Sequence, residues 1–276
     1  MKIKKSQKYI GISLGIALLI IFIFHFTEGV TLIGNHLYTP RDFFTDSKSS
    51  QLALAVERGG DVKKIQKLID EGADVNVIGK NGTSMLNWAL ITSKKNDQAV
   101  IVLLKNGANP NYIPPKGTDM YGLSVTYFLA ESPRTGLLKV VLEHGGNPDI
   151  RNPDENNKTA LMVAAEEGPL ENVKLLVEHS ADINARDDKG LNALFHAVEN
   201  RQFEKAYYLL EHGADYRISG YKYASLTQSS FLQELSDSRN WGFNEQGEAE
   251  RAKVLQWFSD RNIKLPPRSY ENPVSK

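Results

Sequence analysis

Histidines are the side chains of this chain that could bind a metal ion or act as a general base, and three of them recur at a regular spacing. His144, His179 and His212 lie 35 and 33 residues apart, each directly before a Gly or Ser residue. Zinc holds its ligands at about 2 Å, whereas packed helices lie about 8–10 Å apart. We therefore expect each of these histidines to interact with the last carbonyl groups of its own helix, and we expect no metal site. We expect His196 at an interior or rim position of another helix.

Other chemistry is restricted by composition and by the absence of motifs. The chain has no Cys, which excludes disulfides, thiolate metal sites and cysteine nucleophiles. It also contains no phosphate loop, no HExxH, no Gly-x-Ser-x-Gly and no paired-carboxylate motif. Lys and Arg number 33, as do Asp and Glu, so the overall charge gives no reason to expect a nucleic acid partner. The sequence predicts a non-enzyme without a cofactor.

An internal repeat organises most of the chain. Five segments share one type of ending, a Gly (once Ser) followed by a small residue and polar residues, and these Gly or Ser positions are 35, 38, 35 and 33 residues apart. The five endings are residues 71–76, 106–111, 144–149, 179–184 and 212–217. Each ending follows apolar residues at i, i+3 and i+4 spacing, which predicts one apolar stripe on a helix.

A second, shorter helical pattern precedes each of these helices. A small or aliphatic residue stands at its centre, where it lets neighbouring helices approach closely; these residues are Ala55, Ala89, Leu129, Ala164 and Ala197. Gly in the ending permits the left-handed backbone conformation that ends a helix. One such helix pair cannot bury its apolar face alone, so the units are expected to stack into a solenoid.

These residues resemble the ankyrin repeats. The match is best in residues 154–187, where Thr159–Ala165 (TALMVAA) stands for the family's Thr-Pro-Leu-His-x-Ala-Ala. The resemblance implies an all-α ankyrin-repeat solenoid over residues 47–218, followed by a divergent helical cap and tail at 219–276. The five repeats are expected at residues 47–78, 79–113, 114–152, 153–187 and 188–218.

The N-terminus contains the one long apolar run of the chain. Residues 1–8 are basic, residues 10–26 are apolar apart from His25, and residues 30–46 have the mixed polarity of a stalk. We interpret residues 9–29 as an uncleaved signal anchor, a single transmembrane helix, with a cleaved signal peptide and a buried helix as the alternatives. Lys residues before the run orient the N-terminus toward the cytoplasm. In a bacterium, the repeats would then face the periplasm from the inner membrane, or would be periplasmic or secreted after cleavage.

Acidic residues recur at the ends of the short helices. In ankyrin proteins this end faces the concave binding surface, and here it carries Glu131, Glu166, Glu167 and Glu199. These residues would form an acidic stripe that attracts a basic protein partner and acts mainly on the rate of encounter. The alternative is that Glu is simply a soluble residue with a high helix propensity.

The link at residues 111–122 is enlarged and carries Tyr112, Met120 and Tyr121. Inter-repeat fingers are recognition elements in ankyrin proteins, and Tyr and Met are enriched at interfaces. We expect this finger to bind the partner; the alternative is a neutral insertion.

The resemblance implies a monomeric, non-catalytic protein-binding module, and the predicted anchor would hold it at the membrane. Small bacterial ankyrin proteins of this kind resemble immunity proteins that neutralise a toxic effector such as a secreted phospholipase. They also resemble periplasmic accessory proteins that support another enzyme, for instance in oxidative-stress defence. An enzyme with its activity in residues 219–276 and a lipid-binding protein are two further alternatives.

Overall fold

A computed structural model describes residues 31–33, 36–57, 61–92, 97–118, 121–221, 228–237 and 245–266. The chain divides into two compact units, Met1–Val102 (unit 1) and Leu103–Lys276 (unit 2). The predicted anchor at 9–29 and the basic residues 1–8 lie outside the described residues. Within the described ranges, no helix is both long enough and apolar enough to cross a membrane.

Unit 1 consists of a short hairpin followed by helices. Its strands β1 (Thr31–Ile33) and β2 (His36–Tyr38) are antiparallel. The helices are α1 (Pro40–Phe43), α2 (Ser47–Glu57), α3 (Val62–Asp70) and α4 (Met85–Thr92), with a 3₁₀ turn at Lys80–Gly82. Helix α2 packs against both α3 and α4. The division between the units falls within α5 (Gln98–Lys105).

The segment predicted as a stalk, residues 30–46, includes part of the core of unit 1. Phe43 and Phe44 are 3% and 1% exposed, and their ring centroids lie 5.0 and 6.0 Å from that of the buried Trp88. The indole N–H of Trp88 donates to the carbonyl of Ala53 in α2 at 3.2 Å. Phe43 and Phe44, near the end of the segment predicted as a stalk, therefore belong to the core of unit 1, because their aromatic side chains pack around Trp88.

Unit 2 continues with pairs of helices. The helices are α6 (Val125–Glu131), α7 (Thr135–Glu143), α8 (Ala160–Glu166), α9 (Leu170–Glu178), α10 (Ala193–Glu199), α11 (Phe203–Glu211), α12 (Phe231–Asp237) and α13 (Glu245–Asp260). Two antiparallel strand pairs lie between them: β3 (Arg151–Asn152) with β4 (Lys158–Thr159), and β5 (Ser219–Tyr221) with β6 (Gln228–Ser230). These short strands are an addition to the predicted all-α architecture.

The helices of unit 2 form two rows. Helices α6, α8, α10 and α12 contact one another in this order and form the first row. Helices α7, α9, α11 and α13 likewise form the second row. The apolar stripes predicted for α7 and α11 are buried, which confirms the helical periodicity. Side chains at the helix starts fix the first row, because Ser124, Thr159 and Asn192 each accept a hydrogen bond from the backbone N–H three residues later.

Each second-row helix in the repeats ends in a left-handed residue, as the endings predicted. Gly145 and Gly213 have φ of 86° and 89°, and the non-glycine Ser180 has φ of 67°. Asn262 takes this position after α13 with φ of 55°, and the N–H of Ile263 returns to the carbonyl of Phe258. The last helix therefore ends in the same way as those of the repeats.

Hydrogen bonds join each turn of unit 2 to the next; we call these bonds the turn ladder. The side-chain oxygen of Asn111 accepts from the N–H of Asn147, that of Asp149 from Asp182, and that of Asn184 from Asp215, each at 2.7 Å. Asn111 and Asn184 also donate to the carbonyls of Gly145 and Gly213. The sixth residue of these three endings therefore fixes the spacing between neighbouring turns. The fifth ending has Arg217 at this place, and its guanidinium has no acceptor, so a rung is missing there.

Candidate protein-binding surface

Three of the four predicted acidic site residues end neighbouring helices of the first row. Glu131, Glu166 and Glu199 are the last residues of α6, α8 and α10, and Glu167 follows directly after α8. All four are partly buried. The structure therefore places these carboxylates at the C-terminal ends of neighbouring first-row helices, as the repeat spacing predicted. We call this side of the first row its acidic end.

Glu131 carries the strongest perturbation among these acids. Burial, followed by the negative charges of Glu167, Glu155 and Glu166, raises the pKa of Glu131 to about 7, while the Lys158 charge acts in the opposite direction. We call Glu131, Glu155, Glu166 and Glu167 the carboxylate cluster. At neutral pH, Glu131 is only partly ionised, so the cluster carries less negative charge than its composition indicates.

A lysine and a histidine of the protein itself lie beside Glu166. The Nζ atom of Lys158 lies 2.5 Å from one carboxylate oxygen of Glu166, and Nδ1 of His196 lies 3.6 Å from the same oxygen. Burial opposes the charge of Lys158, but Glu166 and its neighbours outweigh it and raise the pKa of this lysine. The carboxylate of Glu166 is therefore already engaged in an ion pair within the protein, which reduces its capacity to bind a partner.

His196 and Asp187 form a second buried pair beside the first. The Nε2 atom of His196 lies 3.0 Å from an oxygen of Asp187, and both residues are buried. Burial opposes ionisation of Asp187, but hydrogen bonds from His196 and from the backbone N–H of Leu191 prevail and lower the pKa of Asp187. His196 is thus an interior residue, one of the two positions expected from the sequence.

The link between the third and fourth repeats also contributes to the carboxylate cluster. The hydroxyl of Tyr127 in α6 donates to Glu155 at 3.1 Å. Burial and the charge of Glu155 raise the pKa of Tyr127 far above its ordinary value, and burial raises the pKa of Glu155. The cluster is therefore a fixed arrangement that combines helix ends with an inter-repeat link.

Two polar side chains of the second row donate hydrogen bonds to carbonyls at the C-terminal ends of first-row helices, and neither was predicted from the sequence. The amide of Asn172 donates to the carbonyls of Leu129, Ala130 and Ser132 at 3.1, 2.9 and 2.8 Å. At the equivalent position one repeat later, the buried Nζ of Lys205 donates to the last carbonyls of α8, at 3.1 and 3.3 Å. Both residues stand eight positions before the left-handed residue, where the third repeat has Leu137. The second and third repeats have Ala99 and Leu137 at this position, so the polar residues of the fourth and fifth were the available signal.

The enlarged link is folded back on itself. The N–H of Gly122 donates to the carbonyl of Pro114, and the N–H of Tyr121 donates to that of Thr118. Tyr112 and Tyr121 are partly buried, and burial raises the pKa of Tyr112. Met120, the third residue predicted in this finger, lies outside the described residues.

The three histidines at the helix ends behave as the sequence predicted. The Nδ1 atoms of His144, His179 and His212 lie 2.8, 2.9 and 2.8 Å from the carbonyl oxygens four residues earlier. Among the residues that the structure describes, no group of three or more His, Asp or Glu side chains could hold a metal ion. These histidines are helix-end residues.

Helix pairs in two rows, with turns joined by a ladder and charged residues at one end of the first row, define a helical repeat protein. Comparison with known proteins gives two matches to repeats of one family. Residues 126–219 match the family model described as "Ankyrin repeats (3 copies)". The human "Ankyrin repeat domain-containing protein 40" is 39% identical over 59 residues, which are 21% of this chain and 16% of that protein.

These matches support the ankyrin family, and the mostly helical structure fits an all-α ankyrin solenoid. The chain spans only 16% of the length of the human protein that it matches. Ankyrin repeats indicate a protein–protein interaction module, and ankyrin repeat domains are generally non-catalytic.

Proposed function

We propose that this chain is a non-catalytic ankyrin module that binds a basic protein partner at the acidic end of the first row. The observation that carries this proposal is the alignment of Glu131, Glu166, Glu167 and Glu199 at neighbouring helix ends. Partly buried carboxylates of one sign, brought together on rigid helices, steer a positively charged surface and select against an acidic one.

Glu166 and Glu131 each have a property that sets them apart among the four acids. Glu166 forms an ion pair with Lys158, so its replacement would first disturb the protein itself. Glu167 and Glu199 are partly buried at the same end of the first row. We assign partner binding mainly to Glu167 and Glu199, with Glu131 as a site whose charge depends on pH.

The partner that we propose is a toxic effector, such as a secreted phospholipase, which this chain would neutralise as an immunity protein. The proposal includes an N-terminal anchor in the inner membrane and repeats in the periplasm. It rests on the analogy with small bacterial ankyrin proteins and on the apolar run at residues 10–26.

Affinity capture of the tagged full chain from its own membranes, followed by mass spectrometry, identifies the partner. With the partner in hand, the double variant Glu167→Lys/Glu199→Lys tests the surface, because two reversed charges should slow association about tenfold at low salt and weaken its salt dependence. Glu143→Lys/Glu178→Lys is the matched control: these two exposed residues end second-row helices, and the same charge change there should leave association nearly unchanged.

Equal association rates for the two double variants across salt concentrations would overturn the acidic surface. A captured partner that is an enzyme of the same cell, supported rather than inhibited by this chain, would replace immunity by the accessory role.

The enlarged finger has its own test. Tyr112→Ala/Tyr121→Ala should weaken partner binding without unfolding the protein, because both tyrosines lie in a link rather than in a repeat helix. Wild-type affinity in this variant, with unchanged circular dichroism, would remove the finger from the binding surface.

A further inference from the structure

A groove on the second row of unit 2 lies between α11 and α13; we call it the tyrosine groove. It has a volume of about 380 Å³. Its wall includes residues of α11 at i, i+3, i+4 and i+7 spacing, which share one face of that helix, and residues of α13. These are Glu204, Tyr207, Tyr208, Glu211, Glu250 and Lys253. The volume is at the small end of the range of about 300–1,000 Å³ that is typical of ligand sites, so it suits one side chain rather than a folded element.

The fifth repeat has lost a cation in this groove that the fourth repeat has. In α9, the Nζ atom of Lys174 lies 3.3 Å from a carboxylate oxygen of Glu171. These residues stand six and nine positions before the left-handed residue of their turn, where the fifth repeat has Tyr207 and Glu204. The third repeat also has a lysine, Lys139, at the position of the tyrosine. The fifth repeat therefore keeps the acid but has an aromatic ring in place of its cation.

The groove consequently keeps negative charge that the protein does not neutralise. Glu204 is exposed, and its carboxylate forms no ion pair or hydrogen bond with any residue that the structure describes. Glu250 accepts a hydrogen bond from a neutral amide at 2.8 Å, whereas Glu211 lies 3.6 Å from Arg261. Lys253 brings one positive charge to the wall against the two remaining carboxylates. The balance favours a cationic ligand.

The two tyrosine rings give this cation a surface to lie on. Tyr207 and Tyr208 are partly buried, so a portion of each ring is open to solvent. The ring of Tyr208 is held in place by His212, whose ring stacks on it with 3.9 Å between the centroids and whose Nδ1 lies 2.8 Å from the Tyr208 carbonyl oxygen. The face of an aromatic ring attracts a cation, and a neighbouring carboxylate adds to this attraction.

We propose that the tyrosine groove binds the guanidinium group of an arginine side chain from a segment of a protein partner. The guanidinium would lie against Tyr207 and pair with Glu204, and it would thus replace the cation that Lys174 supplies in the fourth repeat. Arginine suits the groove better than lysine because its planar group stacks on an aromatic ring while it donates to a carboxylate. The proposal goes beyond the proposed function: the groove lies on the second row, and the segment need not belong to the partner bound at the acidic end.

The tyrosine ring resonances of the full chain, labelled with ¹³C, report on this groove directly. The variants Tyr207→Phe and Tyr208→Phe assign two of the eleven tyrosines. The probe is the hexapeptide acetyl-Gly-Gly-Arg-Gly-Gly-Gly-amide. We expect it to shift both resonances in a saturable way. The same peptide with citrulline, which is similar in shape but uncharged, should give no such shift, and the peptide with Lys should bind several-fold more weakly.

Charge variants with effects of opposite sign test the electrostatic part of the proposal. Glu204→Gln should weaken binding of the Arg peptide about threefold, and Lys253→Gln should strengthen it about twofold, the size expected for charges at an exposed site. Glu143→Gln is the matched control, because it removes the same charge from an exposed end of another second-row helix and should leave the affinity unchanged.

A pair of variants at one position tests the aromatic part. Tyr207→Leu keeps an apolar side chain but removes the ring face, and it should weaken binding of the Arg peptide about fivefold. Tyr207→Phe keeps the ring face and should bind within twofold of the wild type. Circular dichroism of both variants checks that the fold is unchanged.

Absence of a saturable shift, equal binding of the citrulline or Lys peptide, or equal effects of Glu204→Gln and Glu143→Gln would overturn the proposal. These failures are distinguishable from failure of the proposed function, because the Glu167 and Glu199 variants are measured with the captured partner and not with this peptide.

Discussion

The fourth and fifth repeats, which contain α8–α9 and α10–α11, share a backbone plan but differ at equivalent positions. Asn172 in the fourth repeat and Lys205 in the fifth do the same work, since each donates to the last carbonyls of the preceding first-row helix. One does so with a neutral amide and the other with an ammonium group, so hydrogen-bond donation rather than charge is what the position requires. The positive charge of Lys205 also interacts favourably with the negative charges of Glu167 and Glu166.

The largest effect should follow from loss of the neutral amide. Asn172→Leu introduces the residue type of Leu137 in the third repeat but removes the side-chain donor from the carbonyls of Leu129, Ala130 and Ser132, of which only that of Leu129 still accepts from the N–H of Ser132. We expect the free energy of unfolding to fall by about 2–4 kcal/mol, measured by urea denaturation. A loss below about 0.5 kcal/mol would show that water replaces the amide at no cost.

Exchange of the two donors should have a smaller effect. Lys205→Met removes the donor and should cost about 2 kcal/mol, whereas Lys205→Asn keeps a donor and should cost less than half of this. If the asparagine variant is as unstable as the methionine variant, the equivalence of the two positions is wrong.

The same lysine predicts a pH dependence. Burial lowers the pKa of Lys205 to about 8. Between about 8 and its ordinary value of 10.5, the unfolded chain binds a proton that the folded protein does not, so this residue makes the stability rise with pH. Lys205→Asn should remove that rise in urea melts between pH 8 and 10, and an unchanged slope would contradict the assignment.

Glu131 should give a pH dependence of opposite sign. Its pKa is raised to about 7, so between the ordinary value of 4.5 and about 7 the folded protein holds a proton that the unfolded chain lacks. The free energy of unfolding should therefore fall as the pH rises through this window, by about 1–2 kcal/mol once solvent screening is allowed for. Glu131→Gln should flatten this part of the profile; Glu143→Gln, at the exposed end of α7, should not.

The smallest effect concerns the turns of the same two repeats. Ser180 has φ of 67°, a left-handed conformation that glycine adopts more readily than serine. The fifth repeat has a glycine, Gly213, at the equivalent position. Ser180→Gly should raise the free energy of unfolding by about 0.5 kcal/mol, because relief of strain exceeds the added freedom of the unfolded chain. The reciprocal Gly213→Ser should lower it by a similar amount, since a side chain there meets no atom within 4 Å and only the backbone conformation opposes it.

Local patterns determined what could be predicted from the sequence. The stripes, the left-handed turns and the histidine contacts depend on residues within four positions of one another, and all three are present. The alignment of Glu131, Glu166 and Glu199 followed from the repeat length alone.

Contacts that depend on the exact register between repeats were not predictable. Lys158 and Glu166 are eight residues apart and His196 and Asp187 nine, so these two contacts depend on how a link packs against its helix rather than on the helical period. Asn172 and Lys205 bond carbonyls about 40 residues earlier in the chain. The packing of Phe43 and Phe44 against Trp88 was hidden for a different reason, because their segment has no repeat pattern.

The turn ladder has a consequence for how this protein comes apart. Every rung joins a turn only to the next one, across 31 to 36 residues, and none reaches further along the described chain. Local unfolding of the segment after Arg217, where a rung is missing, would therefore stop at the bond between Asn184 and Asp215 and would not spread toward the middle repeats. Hydrogen exchange should show amides after residue 217 opening in minutes while the middle repeats stay closed for far longer.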